Sequence, residues 1–598
     1  MKLKDAIRTM LFKNKIQSFH QLTTEWGEKL DPEHVLEEYP RPQLKRDNYT
    51  ILNGYWNYNI TKEAYKPEHY DGKILVPFSP ESMLSGVNRQ LKPEEVMYYE
   101  RPLILPSKYA GKRCILHFGA VDQSCEVFIN SRRVAEHMGG YLPFSVDITE
   151  AVEEGGNLLS VKVRDLSDSS YHSRGKQKLN RGGMFYTAQS GIWQTVWMEW
   201  VPDIYITELK ITPQYDEKQV RVEIILNRKS DWTVKEQEIR FRVEVYDKSR
   251  RLQSIRSSDA VIMIPMKEFT EWSPENPFLY HLVITAGEDL VQSYFAMRKF
   301  SIQEDSEGMP RIHLNNKPYF HKGLLDQGYW PDGLYTAPSD EALIFDIQQA
   351  KNLGFNMLRK HCKLEPLRWY YHCDRLGMLV WQDIVNGGGK YNMLLVGYLP
   401  TLFPGIASRV KDKHYRLFGR GSEEGRREWT KECEATIRLL YNQASLAVWV
   451  PFNEGWGQFD ALKAEEMIKN LDSTRLIDHA SGWFDQQGGD FDSIHNYFHP
   501  LSLTMKKRAA VLSEFGGYAC YIKDHAYSWQ IYGYRIYLTK EEFDEAFQKL
   551  LEEDILRLKK LGLSAAVYTQ LTDVEDEVNG LFTYDRRVCK VTETNRLN

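Results

Sequence analysis

The sequence has no long hydrophobic run, no basic block and no cysteine pattern of a metal site. No apolar stretch approaches the roughly 20 residues of a membrane-spanning helix, so we expect no membrane partner. Acidic and basic residues are mixed along the 598-residue chain, whose net charge is -5, which argues against a nucleic-acid partner. Residues 1–15 carry charges throughout and lack the apolar centre of a secretion signal. We therefore expect a cytoplasmic protein.

The seven cysteines are odd in number, and their spacing matches neither zinc nor redox motifs. Buried, reduced thiols are typical of cytoplasmic proteins and support the same localisation. The chain also lacks a His-Glu-x-x-His motif and a close His-x-His pair. We therefore expect no metal and no other cofactor.

The chain is long and rich in aromatic residues. A length of 598 residues is too great for one core and predicts two to four domains. Aromatic residues make up 13% of the sequence, and flat rings can stack on sugars, although large cores and β-sandwiches also use them. Composition alone therefore leaves a carbohydrate ligand as one of several alternatives.

Three regions of the chain differ in periodicity. Residues 1–202 begin with a mixed lead-in and continue with short alternating runs between Gly, Asn, Asp and Pro, which predict a β-sandwich. Residues 203–302 alternate in the same way and predict an immunoglobulin-like sandwich of about seven strands. Residues 303–598 change to strands that alternate with helices. The sequence thus predicts a multidomain chain with two all-β domains before an α/β domain.

The third region contains eight strand candidates, with helical stretches between several of them. One predicted helix begins after Ser339 and ends at Gly354, and another covers 540–561. Eight such units in about 300 residues predict a closed (β/α)8 barrel. The connection 385–424 is long and rich in glycine, which is typical of a functional or mobile loop. The strand candidates are 319–323, 355–359, 378–383, 446–452, 476–480, 491–497, 510–515 and 564–570.

Two glutamates end buried-looking strands of the predicted barrel, on the face where barrel enzymes have their active sites. Glu454 follows the fourth strand and Glu514 lies in the seventh, so their side chains can face each other across the barrel. Retaining glycosidases need two carboxyls about 5–5.5 Å apart, and we expect the acid of such a pair to have a raised pKa. The residues alone also allow each glutamate to be a buried ion-pair partner.

Other residues near the predicted strand ends are candidates for binding a sugar. Asn453 can donate to a hydroxyl or serve as an ordinary turn residue. His361 and His495 can bind hydroxyls or position a carboxylate, or each can be a satisfied core histidine. Trp483 and Trp529 can stack on a sugar or pack in the protein. The remaining candidates are Asp326, Asp383, Asn496, Tyr497, Gln570 and Asp573.

Motifs along nearly the whole chain resemble glycoside hydrolase family 2, which contains β-galactosidases, β-glucuronidases and β-mannosidases. SGIWQTVW at 190–197 resembles the sugar-binding jelly roll of that family, and WSPENPFLY at 272–280 resembles its immunoglobulin-like domain. Asn453-Glu454 after NQASLAVW at 442–449 resembles its acid/base segment, and SEFG at 513–516 resembles its nucleophile segment. The resemblance implies a jelly roll, an immunoglobulin-like sandwich and a TIM barrel, with Glu454 as acid/base and Glu514 as nucleophile.

The resemblance also implies a retaining exo-glycosidase that removes a terminal β-linked sugar from a carbohydrate partner. A β-galactoside is the first choice because that activity is common in the family. Family glucuronidases bind the sugar carboxylate with an Asn-x-Lys pair, and the corresponding stretch, EVNGLFT at 577–583, has no lysine. A glucuronide is therefore less favoured than a galactoside.

Several alternatives stay open at this point. The same fold and mechanism could act on a β-glucuronide, a β-mannoside or an arabinoside, and a carbohydrate-binding relative without catalysis would share the fold. The sequence does not decide whether the chain forms a homo-oligomer. We expect a loop of the first sandwich to enter the pocket through 174–177 or 184–186.

Overall fold

The computed structural model describes residues 21–63, 65–106, 111–153, 155–227, 239–402, 404–503 and 507–592. Along them, two groups of antiparallel sheets precede an eight-stranded parallel sheet, which confirms the predicted fold class of two β-sandwiches and a TIM barrel. Residues 1–15, on which the prediction about a secretion signal rested, lie outside the described residues. No helix in the described ranges is both long and apolar enough to cross a bilayer.

The first sandwich packs two antiparallel sheets around an apolar core. Its strands alternate as the sequence does: in Ser124–Ile129 every second side chain is buried. The core contains Trp56, Phe118 and Val161. In spatial order, the four-stranded sheet contains Tyr49–Ile51, Val196–Val201, Arg113–Phe118 and Phe144–Asp147, and the six-stranded sheet contains Gly72–Val76, Gly54–Thr61, Val96–Ile104, Gly156–Arg164, Ser124–Ile129 and Arg132–Met138. Two short pairs join Gln177–Lys178 to Tyr186–Thr187 and Gly191–Ile192 to Val121–Asp122.

The second sandwich has seven strands among the described residues, as predicted. Its core includes Val222, Val243 and Ile284, and the chain neighbours of Val222 and Ile284 are half-buried. In spatial order, one sheet contains Ile206–Gln214, Gln219–Leu226 and Val261–Pro265, and the other contains Arg250–Ser257, Phe241–Asp247, Tyr280–Ala286 and Asp289–Phe295. A small sheet of Phe300–Glu304, Pro310–Leu314 and Lys317–Pro318 leads into the barrel.

Each of the eight predicted barrel strands is present, and all neighbouring pairs are parallel. The fifth strand is shorter than predicted. Ile477 and Asp490 link it to the sixth strand through hydrogen bonds from the Asp490 N–H to the Ile477 carbonyl and from the Ile477 N–H to the Asp490 carboxylate, 2.9 and 2.7 Å long. In chain order the strands are His321–Asp326, Met357–Lys360, Leu379–Asp383, Leu446–Val450, Leu476–Ile477, Phe491–Asn496, Ala509–Gly516 and Leu563–Thr569.

The helices surround the barrel. Ser339 caps the helix Asp340–Asn352 by accepting from the Ala342 N–H, as its position before the predicted helix suggests. The predicted helix over 540–561 contains a π-helical turn at Leu550–Ile555. The other helices are Glu25–Glu28, Leu367–Leu376, Leu399–Leu402, Pro404–Ala407, Glu423–Leu440 and Ala461–Leu471, with 3-10 turns at Pro42–Leu44, Ser167–Ser169 and Tyr415–Phe418.

The connection 385–424, predicted as a long functional or mobile loop, contains secondary structure of its own. It contains a π-helical turn at Leu394–Tyr398, two short helices and a 3-10 turn. Tyr391 and Phe418 join Trp456 and Phe484 in a small apolar cluster. The connection therefore has its own core beside the fourth barrel strand, because its glycines are interspersed with aromatic residues.

Candidate active site

Glu454 lies in a tight turn after the fourth barrel strand. Glu454 and Gly455 both have positive φ values, 51° and 74°, and the Glu454 N–H donates to the Ser481 carbonyl at 2.9 Å. A Cβ at Gly455 would come within 2.5 Å of the Phe484 ring, so this position requires glycine. A glutamate held in the left-handed region costs about 1–3 kcal/mol, and such strain is concentrated at functional sites.

Glu514 lies in the seventh barrel strand, Ala509–Gly516, in which every residue is buried. The ladder to the sixth strand shifts register between Ile494 and His495, so that His495 pairs with Glu514. Such irregularities re-aim side chains beside active sites. As a result, His495 and Glu514 leave the regular alternation together and project towards the same space.

The structure brings the two glutamates together. One carboxylate oxygen of Glu454, one of Glu514 and a ring nitrogen of His495 all lie within 4.8 Å of one another. The His495 ring joins the two acids: its Nδ1 lies 2.7 Å from Oε1 of Glu454, and its Nε2 lies 3.6 Å from Oε1 of Glu514. This separation of the carboxylate oxygens is close to the spacing that a retaining glycosidase needs.

Arg359 stands at the base of the site and is completely buried. Its guanidinium donates to the Asp383 carboxylate at 2.9 and 3.2 Å, to Oε1 of Glu514 at 3.2 Å and to Oδ1 of Asn453 at 2.8 Å. One arginine therefore fixes the ends of the third, fourth and seventh strands relative to one another. In the sequence, Arg359 ends the predicted strand 355–359 and was given no role. A charged residue at the end of a buried strand needs an acidic partner, and this requirement is the signal that could have identified it.

His361 begins a chain of buried amides across the first and eighth strands. Its Nδ1 lies 2.9 Å from Oε1 of Gln327, which can only accept, so Nδ1 carries the proton. Gln327 donates to Gln570, Gln570 to Asn579, and Asn579 to the Glu577 carboxylate, at 2.8, 2.8 and 3.0 Å. Nε2 of His361 is buried without a hydrogen-bond partner and lies 3.6 Å from the Asp383 carboxylate and 3.8 Å from that of Glu514.

Aromatic side chains hold the two glutamates in place. The hydroxyl of Tyr497 donates to the Glu514 carboxylate, and its ring is stacked on Tyr534 at 3.9 Å. The Trp456 N–H donates to Oε2 of Glu454 at 3.0 Å. Trp483 donates to the His495 carbonyl at 3.3 Å, and its ring meets the His495 ring edge-on at 5.7 Å. Tyr497 and Trp483 thus lie beside the two glutamates.

Two acidic residues that the sequence suggested for the site, Asp326 and Asp573, are each paired with a buried lysine. The Lys360 ammonium donates to Asp326 at 2.6 Å, and the Lys590 ammonium donates to Asp573 at 2.6 Å. Lys360 is shared with Glu365 at 2.8 Å. Because each carboxylate already has a cation, we leave Asp326 and Asp573 out of the site proposed below.

Asn496 and Trp529 lie at the edge of this face. Oδ1 of Asn496 accepts from the His499 N–H at 3.0 Å and closes the turn after the sixth strand. Trp529 is 57% exposed, and its ring lies nearly parallel to Tyr521 at 6.2 Å. Asn496 therefore serves a turn, and the Trp529 side chain is largely exposed.

The pKa of Glu454 differs from the expectation. Burial raises it, but the hydrogen bond from His495, the charge of that ring, the Trp456 N–H and the charge of Lys176 together lower the pKa below its ordinary value. The prediction of a raised pKa is therefore wrong for the unliganded site, because it took account of burial and the second carboxylate but not of His495. For Asp383, burial outweighs the Arg359 contact and raises the pKa to about 6.

A loop of the first sandwich reaches this face through both predicted stretches. The N–H groups of Arg174 and Gly175 donate to the Asn386 carbonyl at 2.9 and 3.0 Å, just beyond the third barrel strand. The Tyr186 hydroxyl donates to Glu577, and the Phe185 ring meets Trp456 edge-on at 5.2 Å. The first sandwich therefore forms part of the wall of the site.

Two clusters have the spacing of metal ligands: Glu454 with His495 and Glu514, and His361 with Cys362 and Asp383. In each, one carboxylate already accepts from the Arg359 guanidinium. A fixed cation in that position competes with a metal ion for the same oxygens. We therefore assign neither cluster to a metal, and the absence of a cofactor stays a prediction.

Two family models match the two sandwiches separately. A model described as "Glycosyl hydrolases family 2, sugar binding domain" matches residues 51–202, and one described as "Glycosyl hydrolases family 2" matches residues 204–298. The chain belongs to glycoside hydrolase family 2. The two matches cover the two sandwiches, and the family assignment agrees with the resemblance inferred from the sequence.

Curated relatives in family 2 are distant. The chain is 26% identical over 297 residues to a "Putative beta-glucuronidase" of Formosa agariphila, and 26% identical over 344 residues to a "Beta-galactosidase" of Thermoanaerobacter pseudethanolicus. These alignments cover 48% and 54% of this chain but only 34% and 44% of the relatives. The chain thus matches less than half the length of either relative.

Solved structures are similar over nearly the whole chain. The beta-glucuronidase of an uncultured Clostridium sp. has a TM-score of 0.68 at 18% identity and covers 91% of this chain and 96% of its own. A GH2 beta-galacturonidase from Eisenbergiella tayi bound to galacturonate has a TM-score of 0.68 at 17% identity, with 92% and 97% covered. At these identities the likeness shows the shared fold alone.

Proposed function

We propose that this family 2 chain is a retaining exo-glycosidase that hydrolyses a terminal β-linked sugar by double displacement. The observation that carries the proposal is the pair of carboxylate oxygens from Glu454 and Glu514 within 4.8 Å. Retaining enzymes place their two carboxyls about 5–5.5 Å apart, whereas inverting enzymes leave about 6.5–9.5 Å for a water. The spacing here favours direct attack by a carboxylate on the sugar.

Glu514 is the proposed nucleophile. Glu514 is 3% exposed, and its carboxylate accepts hydrogen bonds from Arg359 and Tyr497, which orient it. In the first step Glu514 attacks the anomeric carbon, and the bond from that carbon to the leaving oxygen breaks. The product of this step is a covalent glycosyl-enzyme.

Glu454 is the proposed acid and base. In the first step it gives a proton to the leaving oxygen, and in the second it removes a proton from the water that attacks the glycosyl-enzyme. Its contact with His495, 2.7 Å long, needs one proton between the two groups. We propose that the Glu454–His495 pair supplies the proton and that His495 positions Glu454 for both steps.

The remaining groups of the site are placed to hold the sugar. Asn453 accepts from Arg359 through Oδ1, which leaves its amide N–H groups for a sugar hydroxyl. His361 offers Nε2, and Gln327 and Gln570 extend the polar wall. Trp483 and Tyr497 supply ring surfaces beside the two glutamates. We propose these residues as the part of the site that binds the terminal sugar.

A β-galactoside is the reference substrate, since several curated relatives are named beta-galactosidases. A β-uronide is the second candidate, because Lys176 places a cation near Glu454 and His361. The structure does not contain an equivalent observation for a mannoside or an arabinoside among the residues described.

The test is hydrolysis of a panel of p-nitrophenyl β-glycosides, followed by proton NMR of the first product formed. We expect turnover of at least one β-galactoside or β-uronide, with the β-anomer released first. Release of the α-anomer would contradict the double displacement. Failure to hydrolyse any member of the panel, with binding of free sugars intact, would favour a carbohydrate-binding relative without catalysis.

A further inference from the structure

One segment of the first sandwich, residues 173–177, packs against the barrel loops that border the site. Ser173 forms an isolated β-bridge with Gly387, and Arg174 and Gly175 both donate to the Asn386 carbonyl. A Cβ at Gly175, whose φ is +58°, would come within 2.5 Å of the Cys362 carbonyl oxygen. The segment therefore touches the backbone directly after His361, and only glycine allows that approach.

The neighbours of Lys176 are all held by hydrogen bonds. Arg174 donates to the Gly389 carbonyl at 3.3 Å, and its guanidinium lies over the Tyr391 ring. Gln177 donates to the Tyr141 hydroxyl at 2.9 Å and to Asp122 at 3.1 Å. These contacts fix the backbone on both sides of Lys176 and so limit the directions that its side chain can take.

Lys176 itself is half-buried, and no ion pair joins it to a carboxylate anywhere in the described ranges. Its ammonium lies 5.4 Å from the centre of the Tyr186 ring. By contrast, the buried lysines of this face, Lys360, Lys363 and Lys590, all contact a carboxylate at 2.6–2.8 Å. Because no carboxylate of the described residues pairs with the Lys176 ammonium, a bound anion can take that place.

The charge of Lys176 acts on the same groups that face the proposed sugar site. Burial is the largest cause of the lowered pKa of His361, and the positive charge of Lys176 is the next. The same charge contributes to lowering the pKa of Glu454. The ammonium therefore lies close enough to His361 and Glu454 for its charge to act on both, and the Tyr186 ring lies beside it.

We propose that Lys176 is a substrate-binding residue that selects a terminal sugar bearing a negative charge, a carboxylate or a sulfate. The proposal rests on the glycosidase function above and names its substrate class. Lys176 comes from the first sandwich, whereas the stretch 577–583, which has no lysine, follows the eighth barrel strand. The lack of a lysine in 577–583 therefore does not exclude an acidic sugar, since Lys176 supplies a cation from another domain.

The experiment compares three substrates that share the p-nitrophenol leaving group: the β-galactoside, the β-galacturonide and the 6-sulfated β-galactoside. We expect the wild-type kcat/KM to be higher for one of the charged sugars than for the neutral one. Lys176→Met is expected to lower kcat/KM for that charged sugar about 100-fold, because the cation that pairs with the sugar anion is lost, and to change the neutral substrate by less than about threefold. Lys176→Arg should retain most of the preference.

Lys178→Met is the matched control, since Lys178 lies two residues away with its ammonium over the Phe185 ring at 3.7 Å. It removes the same charge and should leave the ratio between charged and neutral substrates unchanged. An equal loss on all substrates in Lys176→Met, or a wild-type preference for the neutral sugar, would overturn the proposal. Whichever of the β-galacturonide and the 6-sulfated β-galactoside has the higher kcat/KM identifies the anion that the site binds.

A binding measurement separates this proposal from the proposed function. Calorimetry with free galacturonate, galactose 6-sulfate and galactose needs no turnover. Stronger binding of one charged sugar to the wild type, lost in Lys176→Met, would support Lys176 even if no glycoside were hydrolysed, in which case only the proposed reaction would fail. Equal binding of charged and neutral sugars by the wild type would overturn the role of Lys176 whatever the activity.

Discussion

Two sides of the same barrel face use their buried acids differently. On the side of the first and eighth strands, Asp326 and Asp573 are each neutralised by a buried lysine at 2.6 Å. On the side of the fourth, sixth and seventh strands, Glu454 and Glu514 face each other within 4.8 Å around His495. Neither of these glutamates has a lysine among the ion pairs of the described residues.

The presence or absence of a lysine partner distinguishes a carboxylate with a structural role from one that can react. A carboxylate with its own lysine is satisfied in the folded protein, and losing the lysine would leave an uncompensated charge. Glu454 and Glu514 have no lysine of their own among the described residues and instead meet around one shared histidine. The comparison therefore predicts that changes on one side will affect stability and changes on the other will affect the reaction.

Glu514→Gln is expected to give the largest effect. The amide has nearly the same shape but cannot attack the sugar, so kcat should fall by on the order of 10⁴-fold or more. Steady-state hydrolysis of the best p-nitrophenyl substrate measures this. Asp573→Asn is the comparison variant on the opposite side, and a loss in kcat as large as that of Glu514→Gln would erase the distinction between the two sides.

Glu454→Ala is expected to depend on the leaving group. General acid catalysis contributes about 10²–10⁴-fold, so a substrate with a poor leaving group should lose that factor, whereas a dinitrophenyl glycoside should be cleaved nearly as fast in the first step. Azide should restore turnover of the dinitrophenyl glycoside, since it attacks the glycosyl-enzyme without needing a base. Equal losses on good and poor leaving groups would contradict the acid role.

Lys590→Met tests the structural side. It leaves the buried Asp573 carboxylate without its cation, and we expect a loss of about 3–5 kcal/mol in the free energy of unfolding, measured as a lower urea midpoint. The pKa of Asp573 is already raised to about 6 by burial, so the loss should shrink as the pH falls and that carboxyl takes up a proton.

The matched control is Lys560→Met, at an exposed lysine near the end of the last helix. It should leave the urea midpoint within error of the wild type. The kcat of the folded fraction of Lys590→Met should also match the wild type. A collapse of kcat without a change in stability would place Asp573 in the reaction after all.

His495→Phe should shift the pH dependence of the reaction. Although burial raises the pKa of Glu454, the His495 hydrogen bond and charge contribute to its net lowering, so removing His495 should raise that pKa. The reaction needs Glu454 protonated, and the alkaline limb of kcat/KM should therefore move to higher pH, by about one unit. His495→Asn keeps a donor without the charge and should give a smaller shift. An unchanged alkaline limb in both variants would separate His495 from Glu454.

Much of the fold follows from local patterns in the sequence. The eight barrel strands are runs of buried apolar residues that end in polar ones, and each observed strand overlaps its prediction. Glu454 and Glu514 could be singled out because each follows such a run. The helix after Ser339 has both a cap and a helical period.

The partners of these acids could not be predicted in the same way. Asp326 and Asp573 look like Glu454 in the sequence, because their lysines lie 34 and 17 positions away and only the fold brings them together. His495 and Glu454 are 41 positions apart, and Lys176 comes from another domain. Long-range pairing of charges depends on the tertiary arrangement, which periodicity does not encode.

The most direct measurement is to trap the intermediate with a 2-deoxy-2-fluoro β-glycoside of the best substrate and to locate the label by peptide mass spectrometry. The account predicts one fluoroglycosyl group per chain, on Glu514, in the wild type. A label on Asp383 or any other acid, or complete turnover of the reagent with inverted product and no label, would contradict it.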